Sequence, residues 1–193
     1  MLTTGQIDRL VEALRQQGAP VVDRLAPGLT HRRMDELTGP LDIRVPDEAR
    51  IWWGHYNGAP LRPGDGPLVP ALSPSRWWAP LEAVVALCLE VRESIDPDMW
   101  LKSWLPVTVG GYDLVIETEV EPGQPSPVHV IDFEGDDEDV GEDHIPTLPS
   151  MGTLVDTWTR AVAGDAVRFV PNLGYFTIDF DRADALAIPD GLL

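Results

Sequence analysis

The chain has 193 residues and a mass of 21.2 kDa, the size of one ordinary domain or one domain with a small appendage. A hydrophobic share of 44% and a charged share of 24% are those of a globular chain and exclude wholesale disorder. Thirty-two acidic against 14 basic residues give a net charge of −18. That charge repels nucleic-acid phosphates and anionic membrane surfaces, and favours a basic protein partner.

A single cysteine, Cys88, excludes an intrachain disulfide and points to a reducing, cytoplasmic compartment. Met1 to Gln16 mixes Asp8, Arg9, Glu12 and Arg15 with apolar positions, unlike a secretory signal. No run of 18 uncharged apolar residues predicts a transmembrane helix. Lys102 is the only lysine beside 13 arginines, and with 19 Pro and 17 Gly this skew suggests GC-rich coding and a bacterial source.

In chain order, Ile7, Leu10, Val11 and Leu14 follow helical spacing and predict a helix over 4–17, capped by Thr3 or Thr4 and stopped by Gly18 and Pro20. A second helix is expected over 30–37, ended by Gly39-Pro40. Pro46 opens a third, with Asp47 and Glu48 in the first turn where the helix dipole favours negative charge. Its stripe is Val45, Ala49, Trp52, Trp53 and Tyr56, and Asn57-Gly58 is expected to end it. Residues 59–74 read as a Pro/Gly loop with at most a short strand near 68–72. Pro80 opens a helix to about Ile95 that is apolar nearly all round from Ala83 to Leu89, and so is expected at the centre of the core. Beyond Asp96-Pro97-Asp98 the period changes to two. Strands are predicted over 105–109, 112–118 and 128–133, with Gly110-Gly111 as a two-residue hairpin turn and 121–127 as a longer turn. An acidic loop over 134–144 precedes a helix capped by Ser150 and stopped by Gly164. Last comes a strand over 175–180 with Phe176, Ile178 and Phe180 on one face. This order predicts an α+β fold, an antiparallel sheet meander flanked by helices.

Motifs for chemistry are missing. Lys102 stands in no phosphate-binding loop, and there is neither a Gly-x-Ser-x-Gly elbow nor a His-Glu-x-x-His helix. His31, His55, His129 and His144 do not cluster at ligand spacing, and one cysteine makes a zinc site improbable. His55 reads as a half-exposed helix-end residue and Cys88 as a buried small hydrophobe. The acidic loop fits no register of the calcium-binding EF-hand, because Asp137 or Glu142 falls where that loop needs glycine. No metal, cofactor or catalytic residue is assigned.

Charge distribution carries more information. From Ser103 to Thr159 there is no Lys or Arg, while 13 of the acids lie there: Asp113, Glu117, Glu119, Glu121, Asp132, Glu134, Asp136, Asp137, Glu138, Asp139, Glu142, Asp143 and Asp156. Such a stretch repels itself, and a basic partner would relieve the repulsion; the plain alternative is a solubilising face. Seven tryptophans supply core or interface anchors. Neighbouring residues on a helix point about 100° apart. This leaves one of Trp52 and Trp53, and one of Trp77 and Trp78, free to be partly exposed.

An ordered set of short motifs resembles a known family. Val45-Pro46-Asp47-Glu48 opens a helix closing on Tyr56-Asn57-Gly58. Later come Trp104-Leu105-Pro106-Val107, the strand Tyr112-Asp113-Leu114-Val115-Ile116-Glu117, then Pro127-Val128-His129-Val130 and the capped helix after Ser150. This resembles the Smi/Knr-type domain of the SUKH superfamily over roughly 45–162. The chain departs from that pattern where Ile-Glu-Thr replaces a common Leu-Asp and Gly-Tyr-Asp replaces Gly-Asp. The resemblance implies an α+β domain over 45–181, a helical N-terminal extension over 1–44 packed on its core, and a tail over 182–193. It implies structural roles for Pro46, Asn57, Gly58, Trp104, Leu105 and Pro106, and no catalysis. Bacterial members are inferred to be immunity proteins against polymorphic or contact-dependent toxins, often nucleases. Fungal relatives are interaction hubs of cell-wall assembly. The expectation is a non-enzymatic binding protein that meets a basic partner, such as a nuclease-type toxin, through Asp132, Glu134, Asp136, Asp137, Glu138, Asp139, Glu142 and Asp143. The alternative is a regulatory scaffold without a toxin.

Overall fold

A computed structural model describes residues 1–61, 71–73, 76–94, 101–110, 112–132, 148–189 and 192–193. Helix α1 (Thr4–Gln16) starts at a capping box. The Thr3 hydroxyl accepts from the Gln6 N–H at 3.3 Å, and Gln6 Oε1 accepts from the Thr3 N–H at 2.9 Å. Its buried Ile7, Leu10, Val11 and Leu14 pack on α5 (Met151–Ala163) and α3 (Asp47–His55). Helix α2 (His31–Thr38) is capped by Thr30, and α5 by the Ser150 hydroxyl, which accepts from the Thr153 N–H at 3.0 Å. Strand β1 (Ala71–Ser73), β2 (Arg76–Trp77) and helix α4 (Leu81–Ser94) follow.

Strands β3 (Trp104–Pro106), β5 (Tyr112–Glu117) and β6 (Val128–Asp132) form an antiparallel meander in the order β3-β5-β6. The short β4 (Val109–Gly110) leaves it to pair with β2 in a second sheet, β1-β2-β4. The C-terminal part forms a hairpin of β7 (Val167–Val170) and β8 (Tyr175–Ile178), followed by α6 (Phe180–Ala185). The molecule is thus α+β with antiparallel sheets. Among the described residues, no helix is long and apolar enough to cross a membrane.

Trp104 faces Glu117, Leu105 faces Ile116 and Pro106 faces Val115. Of the expected 110–111 turn, Gly110 is instead a strand residue of β4 facing Arg76 of β2, and Gly111 lies outside the described residues. Val107 N–H bonds Leu114 O at 2.8 Å and Thr118 N–H bonds Ser103 O at 2.8 Å. The alternation puts Pro106 at a position whose missing N–H would have pointed off the ladder, the one place an edge strand accepts proline.

Four expectations need correction. Trp52 and Trp53 are both fully buried. Helix α3 has core on two sides: Trp52 stacks on Trp78 at 4.3 Å and 14°, and Trp53 Nε1–H donates to Ala79 O at 3.3 Å. Trp158 leans on the same Trp52 ring at 6.3 Å. The centre of the core is therefore this tryptophan cluster and not α4, which turns Ala86, Leu89 and Glu90 outward and buries only Leu81, Val84, Val85, Cys88 and Val91. Helix α3 ends at His55, with Tyr56 already extended (φ −137°), two residues before the Gly58 signal. Phe180 is not on the last strand but opens α6, because the Asp179 side chain accepts from the Arg182 N–H and caps a helix there.

Candidate functional site

The first turn of α3 carries a side chain that ties three distant segments together. Glu48 is fully buried. Its Oε2 accepts from the Ser126 N–H at 2.7 Å and the Met151 N–H at 3.3 Å; its Oε1 accepts from the Gly152 N–H at 3.2 Å and from the Leu2 N–H. The Met1 amino group lies 3.7 Å from Oε1. One carboxylate thus ties together the chain before α1, the β5–β6 connection and the first turn of α5, whose free N–H groups and positive dipole end favour an anion. Gly152 lets the chain come that close, since a Cβ there would sit 2.9 Å from the Met1 carbonyl. Asp47 beside it accepts from the Gly123 N–H at 2.8 Å, so the turn after β5 is fastened to α3 at two points.

That fastening matters because the turn presents acid. Glu119 and Glu121 are exposed on it, next to half-buried Glu117 at the end of β5. Of the expected contact residues, Asp132 supplies the last backbone position of β6. Its side chain, and Glu134, Asp136, Asp137, Glu138, Asp139, Glu142 and Asp143, lie outside the described residues. The cation-free stretch is not wholly without internal relief. Asp156 on α5 accepts from Gln6 Nε2 at 2.8 Å and pairs with Arg9 of α1 at 3.4 Å. This compensating charge comes from outside the stretch, where a count along the sequence does not see it.

Pro46, Asn57, Gly58, Trp104 and Leu105 are each tied into the fold. Pro46 is the N-cap of α3. Asn57 Oδ1 accepts from the Leu81 N–H at 2.9 Å and so caps α4, while its Nδ2 donates to Glu82 Oε2 at 2.9 Å. Gly58, at φ +61°, passes so close to the segment leading into α4 that a Cβ would lie 2.5 Å from the Ala79 carbonyl carbon. Leu105 is fully buried, and the Trp104 ring lies over His129 at 5.9 Å. Beside Asn57 is an open recess of about 360 Å³, walled by Trp77, Pro60, Leu61 and Pro80. Its polar groups, Asn57 and Glu82, bond each other and Leu81, and Trp77 Nε1–H donates to Ala59 O at 2.7 Å. These groups are committed to holding the walls together and converge on no common point where a reacting atom could sit.

No protein-family model matches the chain, and a search of curated proteins finds no match. The likeness to Smi/Knr-type domains thus rests on the short motifs alone. His55, half-buried, bonds Asp8 at 2.7 Å across the α1–α3 boundary and edges onto Tyr56. Cys88 is buried. Among the described residues, no three His, Cys, Asp or Glu side chains gather as a metal site would require. In sequence Glu48 reads as a dipole-matching acid of a first turn; only the Ser126 and Gly152 backbones, arriving from 78 and 104 residues away, make it a hub.

Proposed function

We propose that the chain is a non-catalytic, cytoplasmic binding domain of Smi/Knr type whose acidic side occludes a basic surface of a protein partner, as an immunity protein does with its toxin. The observation that carries this reading is the stretch from Ser103 to Thr159, with 13 acids and no Lys or Arg. Placement of Glu119 and Glu121 on a turn anchored by Asp47 and Glu48 supports it. A fixed acidic surface loses less conformational freedom on binding than a free one, and its field steers a cationic partner into register.

The test is growth rescue. Where a neighbouring gene encodes a protein with a toxic domain, the full chain is co-expressed with that domain, and with an unrelated toxin as control; a solitary gene favours the scaffold. Rescue from the neighbour alone supports the immunity reading. Absence of rescue, with the chain folded and expressed, refutes it and leaves a scaffold of the cell-wall-regulator kind as the surviving interpretation.

A further inference from the structure

The recess beside Asn57 is built on a frame of backbone bonds. Ala26 N–H donates to Gly58 O at 2.8 Å, and Asn57 N–H donates to Ala26 O at 3.0 Å. Ala59 N–H donates to Trp78 O at 2.8 Å, and the Trp77 indole is held by its bond to Ala59 O at 2.7 Å. Pro60 and Pro80 add two residues of fixed φ with no N–H to satisfy. With a volume of about 360 Å³, the recess lies at the small end of ligand sites, about 300–1,000 Å³, and suits one side chain rather than a cofactor.

One charged residue lines this otherwise mostly apolar recess. Glu82, in the first turn of α4, gives its Oε2 to the Asn57 Nδ2 donor at 2.9 Å. That bond orients the carboxylate and leaves Oε1 over. Among the described residues, the ionic partner of Oε1 is Arg33, whose Nη2 lies 3.9 Å away, beyond hydrogen-bond distance. Both side chains are about half exposed, at 45% and 50%, so this pair holds the carboxylate weakly. Arg33 also has Glu36 at 3.7 Å.

We propose that this recess takes a lysine side chain of the basic protein partner, an inference that rests on the partner reading above. The hydrocarbon stem of lysine covers the apolar wall of Pro60, Leu61, Trp77 and Pro80, and its ammonium group pairs with Glu82 Oε1. Charge selects a cation: the site carries a carboxylate, and the whole chain a net charge of −18. Indole is also the ring that attracts a cation most strongly. Arginine fits less well, because its planar fork pairs best with both oxygens of a carboxylate and Asn57 already holds one. A neutral side chain would fill the wall and dry the carboxylate without pairing it. The frame of bonds sets the wall in advance, so little freedom is lost on binding.

Blocked amino acids test this without the partner. Nα-acetyl-lysine N-methylamide is titrated into the full chain at low salt, beside its norleucine and arginine analogues. The readouts are the NMR signals of the Trp77 indole N–H and the Asn57 side-chain amide. Saturable shifts are expected, with the lysine compound at least about threefold tighter than either analogue, the scale of one exposed charge pair. Glu82→Gln, which keeps an acceptor for Asn57, should weaken the lysine compound at least about threefold. Arg33→Gln, which removes the internal competitor for Oε1, should tighten it by about twofold. Glu93→Gln, an exposed acid further along α4, controls for general attraction to an acidic protein and should change binding by less than about 1.5-fold. Norleucine or arginine binding as tightly as lysine, equal losses from Glu82→Gln and Glu93→Gln, or no saturable shift up to about 100 mM overturns the proposal. Any of those results beside growth rescue would remove the lysine site and leave the partner reading standing.

Discussion

Replacing Glu48 by Gln keeps the shape of the side chain and removes its charge and half of its acceptor capacity. The carboxylate serves four backbone N–H groups from three separate segments, two on each oxygen. In the amide, whichever oxygen position becomes NH₂ turns a donor toward two donors. Stranding two buried N–H groups, each costing about 1–3 kcal/mol, and losing the charge-assisted part of the remaining bonds puts the destabilisation at about 3–5 kcal/mol. For a domain of this length that lowers the melting temperature by about 10 °C. The assay is urea unfolding followed by tryptophan fluorescence, for which the Trp52–Trp78 stack is a direct reporter. Glu36→Gln, an exposed α2 acid paired with Arg32 at 2.9 Å, is the comparison and should change stability by less than about 1 kcal/mol. Hydrogen exchange should accelerate most at Ser126, Met151 and Gly152. A Glu48→Gln protein as stable as Glu36→Gln would refute the view that this carboxylate fastens the three segments together.

Other outcomes follow from the same geometry. Gly58→Ala must hold alanine at φ +61° with its Cβ against the Ala79 backbone, and should lose about 3 kcal/mol in urea melts; a loss under about 1 kcal/mol would contradict that close approach. Asn57→Ala removes the cap from the Leu81 N–H and should cost about 1–2 kcal/mol, read as faster exchange in the first turn of α4. The Glu12 carboxyl is held below its ordinary value by its hydrogen bond to Arg15 (2.5 Å) and then by that to Gln16. A depressed carboxylate stabilises above its unfolded value and loses that contribution as pH falls through the folded one. Arg15→Gln should thus raise the Glu12 midpoint in an NMR titration, and an unmoved midpoint would dismiss the pair.

Much of this fold is readable from local rules. Thr3 and Ser150 cap the helices they precede, and Gly18 and Gly164 follow them, because each signal acts within a few residues. What escaped depends on distant partners. The burial of both Trp52 and Trp53 needs Trp78 and Ala79 to arrive on the far side of α3. β7 is four residues long, too short for alternation of Val167, Arg168 and Phe169 to stand out, and α6 needs the Asp179 cap to overrule the apolar pattern through Phe180. At the candidate site, the sequence displays the density of acid but not its anchoring. Asp47 and Glu48 look like dipole partners of their own helix, yet their acceptors serve Gly123 and Ser126.

The acidic side is tested most directly by association kinetics with the basic partner identified in the growth assay. Asp136, Asp137, Glu138, Asp139, Glu142 and Asp143 are changed together to their amides, with the wild-type chain measured in parallel by stopped flow from about 20 mM to about 500 mM salt. Steering through this segment predicts slower association of the amide variant at low salt, a flatter salt dependence, and rates that converge as salt rises. An association rate unchanged at low salt would contradict it.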